Sequence, residues 1–239
     1  MLGRFLEIRL HAPSVLESID FYQKLGFVQA QVGEAWPHPY AVVTDGRLVI
    51  GLHQQEFESP SLTFVKPDLW RHLEALEALG IEFESRKLGS DVFNEASFRD
   101  PDGLLVTLVE ARTFSPPARD PGETSWCGYF TEFGIPTRDA DRAKDFWEKL
   151  GFVAVGENER PFRRISLTSD FVDLGLYETR ELRKPVLTFI DPEMPARLAE
   201  IERLGIEPSR RLPSAFDPDT SWMLVAPEGT VLLLMTEEA

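Results

Sequence analysis

The stretch Asp20-Phe21-Tyr22-Gln23-Lys24-Leu25-Gly26-Phe27-Val28 decides the fold, because the chain repeats it. The second copy, Asp145-Phe146-Trp147-Glu148-Lys149-Leu150-Gly151-Phe152-Val153, follows at an offset of 125 residues. The same offset relates Pro60-Ser61-Leu62-Thr63-Phe64 to Pro185-Val186-Leu187-Thr188-Phe189. Self-similarity at a fixed spacing is the signature of a repeated structural unit. The sequence therefore predicts two similar modules in tandem.

Each module divides again into two smaller units. In the first module the units are marked by Leu25-Gly26-Phe27 and Leu79-Gly80-Ile81, and in the second by Leu150-Gly151-Phe152 and Leu204-Gly205-Ile206. Around each Leu-Gly pair the hydrophobic pattern indicates a strand, a helix and three further strands. The chain is therefore predicted to contain four βαβββ units.

The first unit shows the pattern most clearly. Residues 5–10 alternate as a strand does, which predicts Leu6, Ile8 and Leu10 on one face and Glu7, Arg9 and His11 on the other. Ser14, with Glu17 three residues later, is typical of the start of a helix, and the apolar spacing predicts that this helix covers 14–25. Gly26 follows directly, where a left-handed residue commonly ends a helix.

A proline-rich segment separates the two modules. The stretch from Thr113 to Gly122 contains three prolines and is typical of an extended linker. We therefore expect one module over 1–112, a linker over 113–125 and a second module over 126–239. The fold class is α+β, with the modules packed as a pseudo-dimer. A helix on one face of each sheet leaves the other face free to curl into a cup around a ligand.

Composition excludes several functional classes. The 239 residues include 25 Lys or Arg and 40 Asp or Glu, so the formal net charge is −15. Such an acidic chain is a poor partner for nucleic acid, and no apolar run reaches the length of a membrane helix. The single Cys127 excludes an intramolecular disulfide or a cysteine-based zinc site. We expect a cytoplasmic enzyme or small-molecule binder, without nucleic-acid or membrane partners.

The repeated motifs resemble the vicinal oxygen chelate superfamily, which includes glyoxalase I, bleomycin-resistance proteins and extradiol dioxygenases. The resemblance is carried by the two helix motifs quoted first, by Arg99-Asp100-Pro101-Asp102-Gly103 and by Ala226-Pro227-Glu228-Gly229. It covers nearly the whole chain outside the linker. It implies paired βαβββ units whose cup binds a metal with vicinal oxygens of a substrate or, without metal, an apolar ligand.

The resemblance also implies where metal ligands would stand. These positions hold Glu7, Gly51, Ser61 and Thr107 in the first module, and Glu132, Gly175, Val186 and Leu233 in the second. A divalent ion needs three or four converging nitrogen or oxygen donors. Each module retains one carboxylate, so the usual metal site is predicted to be absent and no cofactor is expected. The alternative is a divalent metal such as Fe, Zn, Ni or Mn.

The two retained carboxylates have two interpretations. Either Glu7 or Glu132 acts as a general base in a dry cup, or each pairs with a nearby cation. Arg9 stands two residues from Glu7 on the same strand face, whereas Glu132 has no cation so near in sequence. Together with His11 and His53, Glu7 would form a displaced metal site, but Glu7 and His11 stand roughly 13 Å apart on an unbroken strand.

Ligand-binding residues are expected mainly among aromatic and polar side chains of the two cups. An aromatic, proline-rich loop is predicted over Trp36-Pro37-His38-Pro39-Tyr40. It either stacks on a flat ligand or covers the sheet edge. His38 is interpreted as an ordinary loop residue. The predicted ligand-binding residues are Arg9, Trp36, Tyr40, His53, Thr63, Thr107, Phe162, Tyr177 and Trp222.

Two functions follow from these expectations. The first is a metal-independent protein that holds a small apolar or aromatic molecule in each cup, as bleomycin-resistance proteins sequester drugs. The alternative is a metal-dependent or Glu-based lyase, isomerase or dioxygenase. The protein is expected to be a monomer with pseudo-twofold symmetry or a homodimer.

Overall fold

The computed structural model describes residues 2–32, 36–111, 125–209 and 211–237. The first half forms one eight-stranded sheet, in the order β2-β3-β4-β1-β5-β8-β7-β6. Its strands and helices are β1 (Arg4–His11), α1 (Val15–Lys24), β2 (Val28–Ala30), β3 (Tyr40–Thr44), β4 (Val49–His53), β5 (Ser61–Lys66), α2 (Leu69–Ala78), β6 (Phe83–Lys87), β7 (Glu95–Arg99) and β8 (Leu105–Glu110).

The second half forms a seven-stranded sheet, in the order β10-β11-β12-β9-β13-β15-β14. Its elements are β9 (Tyr129–Thr137), α3 (Ala140–Lys149), β10 (Val153–Asn158), β11 (Arg164–Thr168), β12 (Leu174–Glu178), β13 (Val186–Ile190), α4 (Met194–Arg203), β14 (Ser221–Val225) and β15 (Val231–Met235). The α+β class and the tandem architecture are confirmed. In the fourth unit the described residues form two strands after helix α4, whereas three were predicted. The missing strand would begin at Pro208, and proline has no N–H group to donate to a neighbouring strand.

Helix α1 begins where its predicted capping residue stands, and α3 begins in the same way. The Ser14 side chain accepts a hydrogen bond from the Glu17 amide and caps α1, and Asp139 caps α3 in the same way through the Arg142 amide. Gly26 follows α1 with φ of 92°, a left-handed conformation that favours glycine. The predicted linker over 113–125 lies outside the described residues except for Ser125.

Strand β1 departs from the predicted alternation. A bulge shifts its register against β5 between Phe5 and Glu7. Phe5, instead of Leu6, therefore shares the core face with Ile8 and Leu10, while Leu6 is only half-buried. The prediction for Leu6 was wrong, because an inserted residue resets the two-residue period of a strand.

One hydrophobic core extends across both halves. Phe27 packs edge-on against Phe189 of the second sheet, with ring centroids 6.5 Å apart. Polar contacts from two equivalent turns also join the halves. Glu228 accepts hydrogen bonds from Tyr22 (2.8 Å) and Ser18 on α1, and Asp102 accepts one from Thr137 at 2.6 Å. Within the described ranges, no helix is long and apolar enough to cross a membrane.

Candidate functional site

The first sheet buries polar side chains on the face that turns away from its helices. Because Ile8 and Leu10 of β1 belong to the core, the alternating Glu7 and Arg9 lie on the opposite face. Strand register places Glu7 opposite Thr63 on β5, and Thr63 beside Thr107 on β8. Glu7 is 2% exposed, Arg9 is 5% exposed and Thr63 is fully buried. We call Glu7, Arg9, His38, His53 and Thr63 the first-sheet site.

A chain of hydrogen bonds links Glu7 to a loop histidine. His53 Nε2 lies 2.9 Å from Glu7 Oε1, and His53 Nδ1 lies 2.9 Å from His38 Nε2. Because a carboxylate only accepts, Nε2 of His53 carries the proton toward Glu7, and in neutral His53 the Nδ1 atom accepts from His38. Burial, helped by the charges of His53 and Arg9, lowers the pKa of His38 to about 4. His38 is therefore neutral at pH 7, with the proton on Nε2 where it donates to His53.

Gly51 provides the space in which Glu7 bends toward His53. A Cβ atom at Gly51 would overlap the Glu7 carboxylate. The neighbouring β4 strand pairs in parallel with β1, so that Gly51 stands beside Arg9 and His53 beside His11. The glycine is therefore part of the geometry that brings Glu7 and His53 together.

Arg9 is held between aromatic rings instead of pairing with Glu7. Its guanidinium carbon lies 4.5 Å from the Trp36 ring centroid and 4.3 Å from that of Phe57. One of its amino groups donates to Gln55 Oε1 at 3.1 Å, while Nε is buried without a hydrogen-bond partner. Burial lowers the pKa of Arg9, against the opposing charges of Glu7 and Glu95. The expected Glu7–Arg9 ion pair is therefore replaced by Glu7–His53 and Arg9–Gln55 contacts.

Aromatic rings surround His53. Tyr40 stacks on its imidazole with centroids 5.5 Å apart and an interplanar angle of 15°, and Trp36 meets it edge-on at 5.2 Å. Phe57 lies 6.1 Å from His53, and Phe93 lies 5.1 Å from Trp36. The structure thus brings Trp36, Tyr40 and His53 together as an aromatic wall.

The equivalent face of the second sheet is closed by its own side chains. Tyr177 Oη donates to Glu132 Oε1 at 2.6 Å and lies 2.8 Å from Thr188 Oγ1. Arg164 Nη1 lies 3.4 Å from the same Glu132 oxygen, so this carboxylate has a cation that its sequence neighbourhood did not reveal. Burial, together with the Glu132 charge, raises the pKa of Tyr177 well above its ordinary value. We call Glu132, Arg164, Tyr177 and Thr188 the second-sheet site.

Two glycines and an apolar cluster complete that closure. A Cβ atom at either Gly134 or Gly175 would overlap the Tyr177 ring. Phe162 packs against Tyr177 with ring centroids 5.2 Å apart. Trp222 is not part of this cluster, since it packs against the main core. The buried members of the cluster are Tyr177, Leu182, Val186, Phe216, Met223, Leu233 and Met235.

Sequence reasoning missed His38 as part of the first-sheet site, and it missed Gln55, Phe57 and Phe93 among the surrounding residues. His38 was interpreted as an ordinary loop residue, although Tyr40, two residues later, pairs with His53 across β3 and β4. That pairing is the one signal that could have placed His38 near His53. His11 is not part of the hydrogen-bonded chain Glu7–His53–His38. Its ring centroid lies 6.1 Å from that of Phe57, and His11 lines a cavity of about 260 Å³ between the two sheets.

The residues at the superfamily's metal positions do not fit a metal centre. Glu7 is hydrogen-bonded to His53, Gly51 has no side chain, and the Ser61 hydroxyl donates to the Arg9 carbonyl at 3.4 Å. In the second sheet, Val186 and Leu233 offer no donor atoms. Among the described residues, no three His, Cys, Asp or Glu side chains are grouped so as to hold a metal ion.

The class of fold follows from comparison with solved structures. A 2,3-dioxygenase (LapB) from Pseudomonas sp. KL28 matches at 15% identity over 100% of this chain and 94% of that one, with a TM-score of 0.64. An extradiol ring-cleaving dioxygenase from B. fuscum matches at 14% identity, over 100% of this chain and 72% of that one, with a TM-score of 0.65.

A Mn(II)-bound glyoxalase from Novosphingobium aromaticivorans matches at 16% identity, over 99% of this chain and 82% of that one, with a TM-score of 0.62. These matches confirm that the chain has the fold of the vicinal oxygen chelate superfamily, and at such identities they show the fold alone. No protein-family model and no curated protein sequence matches the chain.

Proposed function

We propose that the protein is a metal-independent binder of a small, partly aromatic molecule, held at the first-sheet site. One observation carries this proposal: Arg9 Nε and Thr63 Oγ1 are buried without hydrogen-bond partners beside an aromatic wall. More than nine in ten buried polar groups in proteins have a partner. Two such atoms on one sheet face therefore favour a polar group of a ligand as their partner.

The contrast between the sheets supports a single site. In the second-sheet site, Tyr177 fills the space above Gly134 and Gly175 and satisfies both Glu132 and Thr188. An apolar cluster then covers Tyr177. The expectation that each cup holds a ligand thus becomes a proposal for the first sheet only.

Metal independence is supported by the donor set. A catalytic divalent ion takes three protein ligands and keeps one position open, whereas the carboxylate and the two imidazoles of the first-sheet site are hydrogen-bonded to one another and, among the described residues, no three such side chains are grouped so as to hold a metal ion. We expect removal of divalent ions by a chelator to leave ligand affinity unchanged. Near-stoichiometric metal retained through dialysis would contradict this part of the proposal.

Tryptophan fluorescence tests the binding proposal. Trp36 lines the site, so aromatic compounds that bind there are expected to quench part of the emission. The quenching should disappear in a Trp36→Phe variant and persist in a Trp70→Phe control, because Trp70 is 52% exposed on α2. No response to a broad panel of aromatic compounds, or quenching that survives Trp36→Phe, would refute the proposal.

A specific observation also favours a second candidate, a Glu-based isomerase or lyase without metal. The Glu7–His53–His38 chain resembles the arrangement of a general base oriented by a hydrogen-bonded carboxylate. On this alternative, His38 exchanges a proton with a carbon acid, and the protein would exchange the α-hydrogens of a bound ketone or ketoacid for deuterium in D2O. Glu7→Gln should slow that exchange, and equal rates in both proteins would exclude a role for Glu7.

A further inference from the structure

The same buried pair, a glutamate opposite a threonine, occurs once in each sheet. Glu7 on β1 stands opposite Thr63 on β5, and Glu132 on β9 stands opposite Thr188 on β13. All four side chains are buried, the two threonines fully. The repeat therefore preserves both the residue types and their register.

In the second sheet, a phenol lies between the members of this pair. The Tyr177 hydroxyl donates to the Glu132 carboxylate at 2.6 Å and lies 2.8 Å from the Thr188 hydroxyl. A carboxylate only accepts, and a phenol can donate once and accept once. Tyr177 thus donates to Glu132 and accepts from Thr188, which satisfies all three groups.

In the first sheet, His53 takes the place of Tyr177. His53 lies opposite His11 on β1, as Tyr177 lies opposite Pro136 on β9. The imidazole is shorter than a phenol and carries no hydroxyl. It bonds to Glu7, but Thr63 Oγ1 is left buried without a partner.

The geometry points to the Glu7–Thr63 pair as a subsite for the hydroxyl group of a small phenol, bound as Tyr177 is bound in the second sheet. The ligand hydroxyl donates to the Glu7 carboxylate and accepts from Thr63, so no covalent step is involved. This inference rests on the proposed binding at the first-sheet site and specifies the class of ligand.

Two neighbouring features favour a phenol over an aliphatic alcohol. The aromatic rings of Trp36, Tyr40 and Phe57 lie around the site and can pack against a planar ring. Arg9 stands where the second sheet has Gly134, since Arg9 pairs with Gly51 and Gly134 pairs with Gly175. Its positive charge stabilises negative charge on the ligand oxygen, which the more acidic phenol develops more readily than an aliphatic alcohol does when it donates to Glu7.

The test compares p-cresol, which is the tyrosine side chain as a free molecule, with its methyl ether, 4-methylanisole. Calorimetry on the full chain is expected to show p-cresol binding about tenfold more tightly, the effect of one hydrogen bond. The ether cannot donate to Glu7, so this difference reports the bond to the Glu7 carboxylate. Thr63→Val, which removes the Thr63 hydroxyl and keeps the shape of the side chain, should reduce p-cresol affinity by up to about tenfold. Thr63→Ser should retain p-cresol affinity.

Thr188→Val is the matched control, because its hydroxyl already bonds to Tyr177 and lies in the other sheet. It should leave the affinities of both compounds unchanged. Equal binding of p-cresol and the ether, or p-cresol affinity that is unchanged by Thr63→Val, overturns the hydroxyl subsite while the proposed binding function stands. Absence of binding by either compound and by the wider aromatic panel overturns both proposals.

Discussion

Tyr177→Phe removes a single oxygen atom from the second-sheet site. The Tyr177 hydroxyl group donates to the Glu132 carboxylate at 2.6 Å and lies 2.8 Å from the Thr188 hydroxyl, and both partners are buried. The ring itself should stay in place, because Gly134 and Gly175 leave room for it and Phe162 packs against it. The substitution therefore isolates the contribution of the two hydrogen bonds.

The expected cost follows from the nature of each bond. A hydrogen bond to a charged group contributes about 1.5–3 kcal/mol and a neutral one about 0.5–1.5 kcal/mol, so the free energy of unfolding should fall by about 2–4 kcal/mol. For a chain of this size, each kcal/mol lowers the melting temperature by about 2–4 °C. Burial and the Glu132 charge raise the pKa of Tyr177, so its hydroxyl remains a donor at neutral pH.

Urea denaturation followed by circular dichroism measures this loss. Tyr129→Phe is a suitable control, because Tyr129 is 40% exposed and its removal should change stability by less than about 0.5 kcal/mol. The double variant with Thr188→Val should lose less than the sum of the single variants, since the two hydroxyls share one bond. A Tyr177→Phe protein as stable as wild type would refute the view that this phenol holds the face closed.

Three further substitutions test other parts of the structure. Gly51→Ala should cost about 1–3 kcal/mol by overpacking against the Glu7 carboxylate, whereas Gly156→Ala, with open space around it, should be near neutral in the same urea titration. Burial lowers the pKa of His38 to about 4, below the unfolded value near 6.5, so the unfolded chain takes up the proton first. Stability should therefore fall as the pH drops from 6.5 to 4, and His38→Gln should show a shallower decline. Glu228→Ala removes the acceptor of two hydrogen bonds from α1 and should lower the denaturation midpoint by the equivalent of about 2–4 kcal/mol; an unchanged midpoint would contradict a stabilising contact between the halves.

Local signals in the sequence were enough to predict where α1 begins and ends. Ser14 and Gly26 act on their immediate neighbours, so their effects are visible in a short window. The bulge at Phe5 is different, because it is a property of the pairing between β1 and β5. No single strand carries that information, which is why Leu6 was assigned to the wrong face.

In the candidate site too, the sequence of a single strand indicates some residues, whereas others depend on how strands pair. Glu7 could be singled out from its strand position, and His53 from its distance to Gly51 in sequence. Their hydrogen bond depends on the parallel pairing of β4 with β1, which the alternation within each strand does not reveal. His38 depends in addition on the path of a loop, so its place at the end of the hydrogen-bonded chain required the structure.

The glycines at two positions where the superfamily resemblance implies metal ligands lie beside buried carboxylates in both sheets. Gly51 was interpreted as the loss of a ligand, and so was Gly175, yet in the structure each lies directly beneath a glutamate carboxylate, and Gly175 also beneath Tyr177. A larger residue at either position would displace that carboxylate, so the glycine and the bent glutamate depend on each other. Once a carboxylate is buried in this way, it needs a hydrogen-bond donor from the protein or a ligand. The second sheet supplies the Tyr177 phenol, which bonds to both Glu132 and Thr188, whereas the first supplies His53, which bonds to Glu7 and leaves Thr63 Oγ1 without a hydrogen-bond partner. The absence of a hydroxyl that reaches Thr63 in the first sheet is therefore the difference on which the proposal of a ligand site in the first sheet, and not in the second, depends.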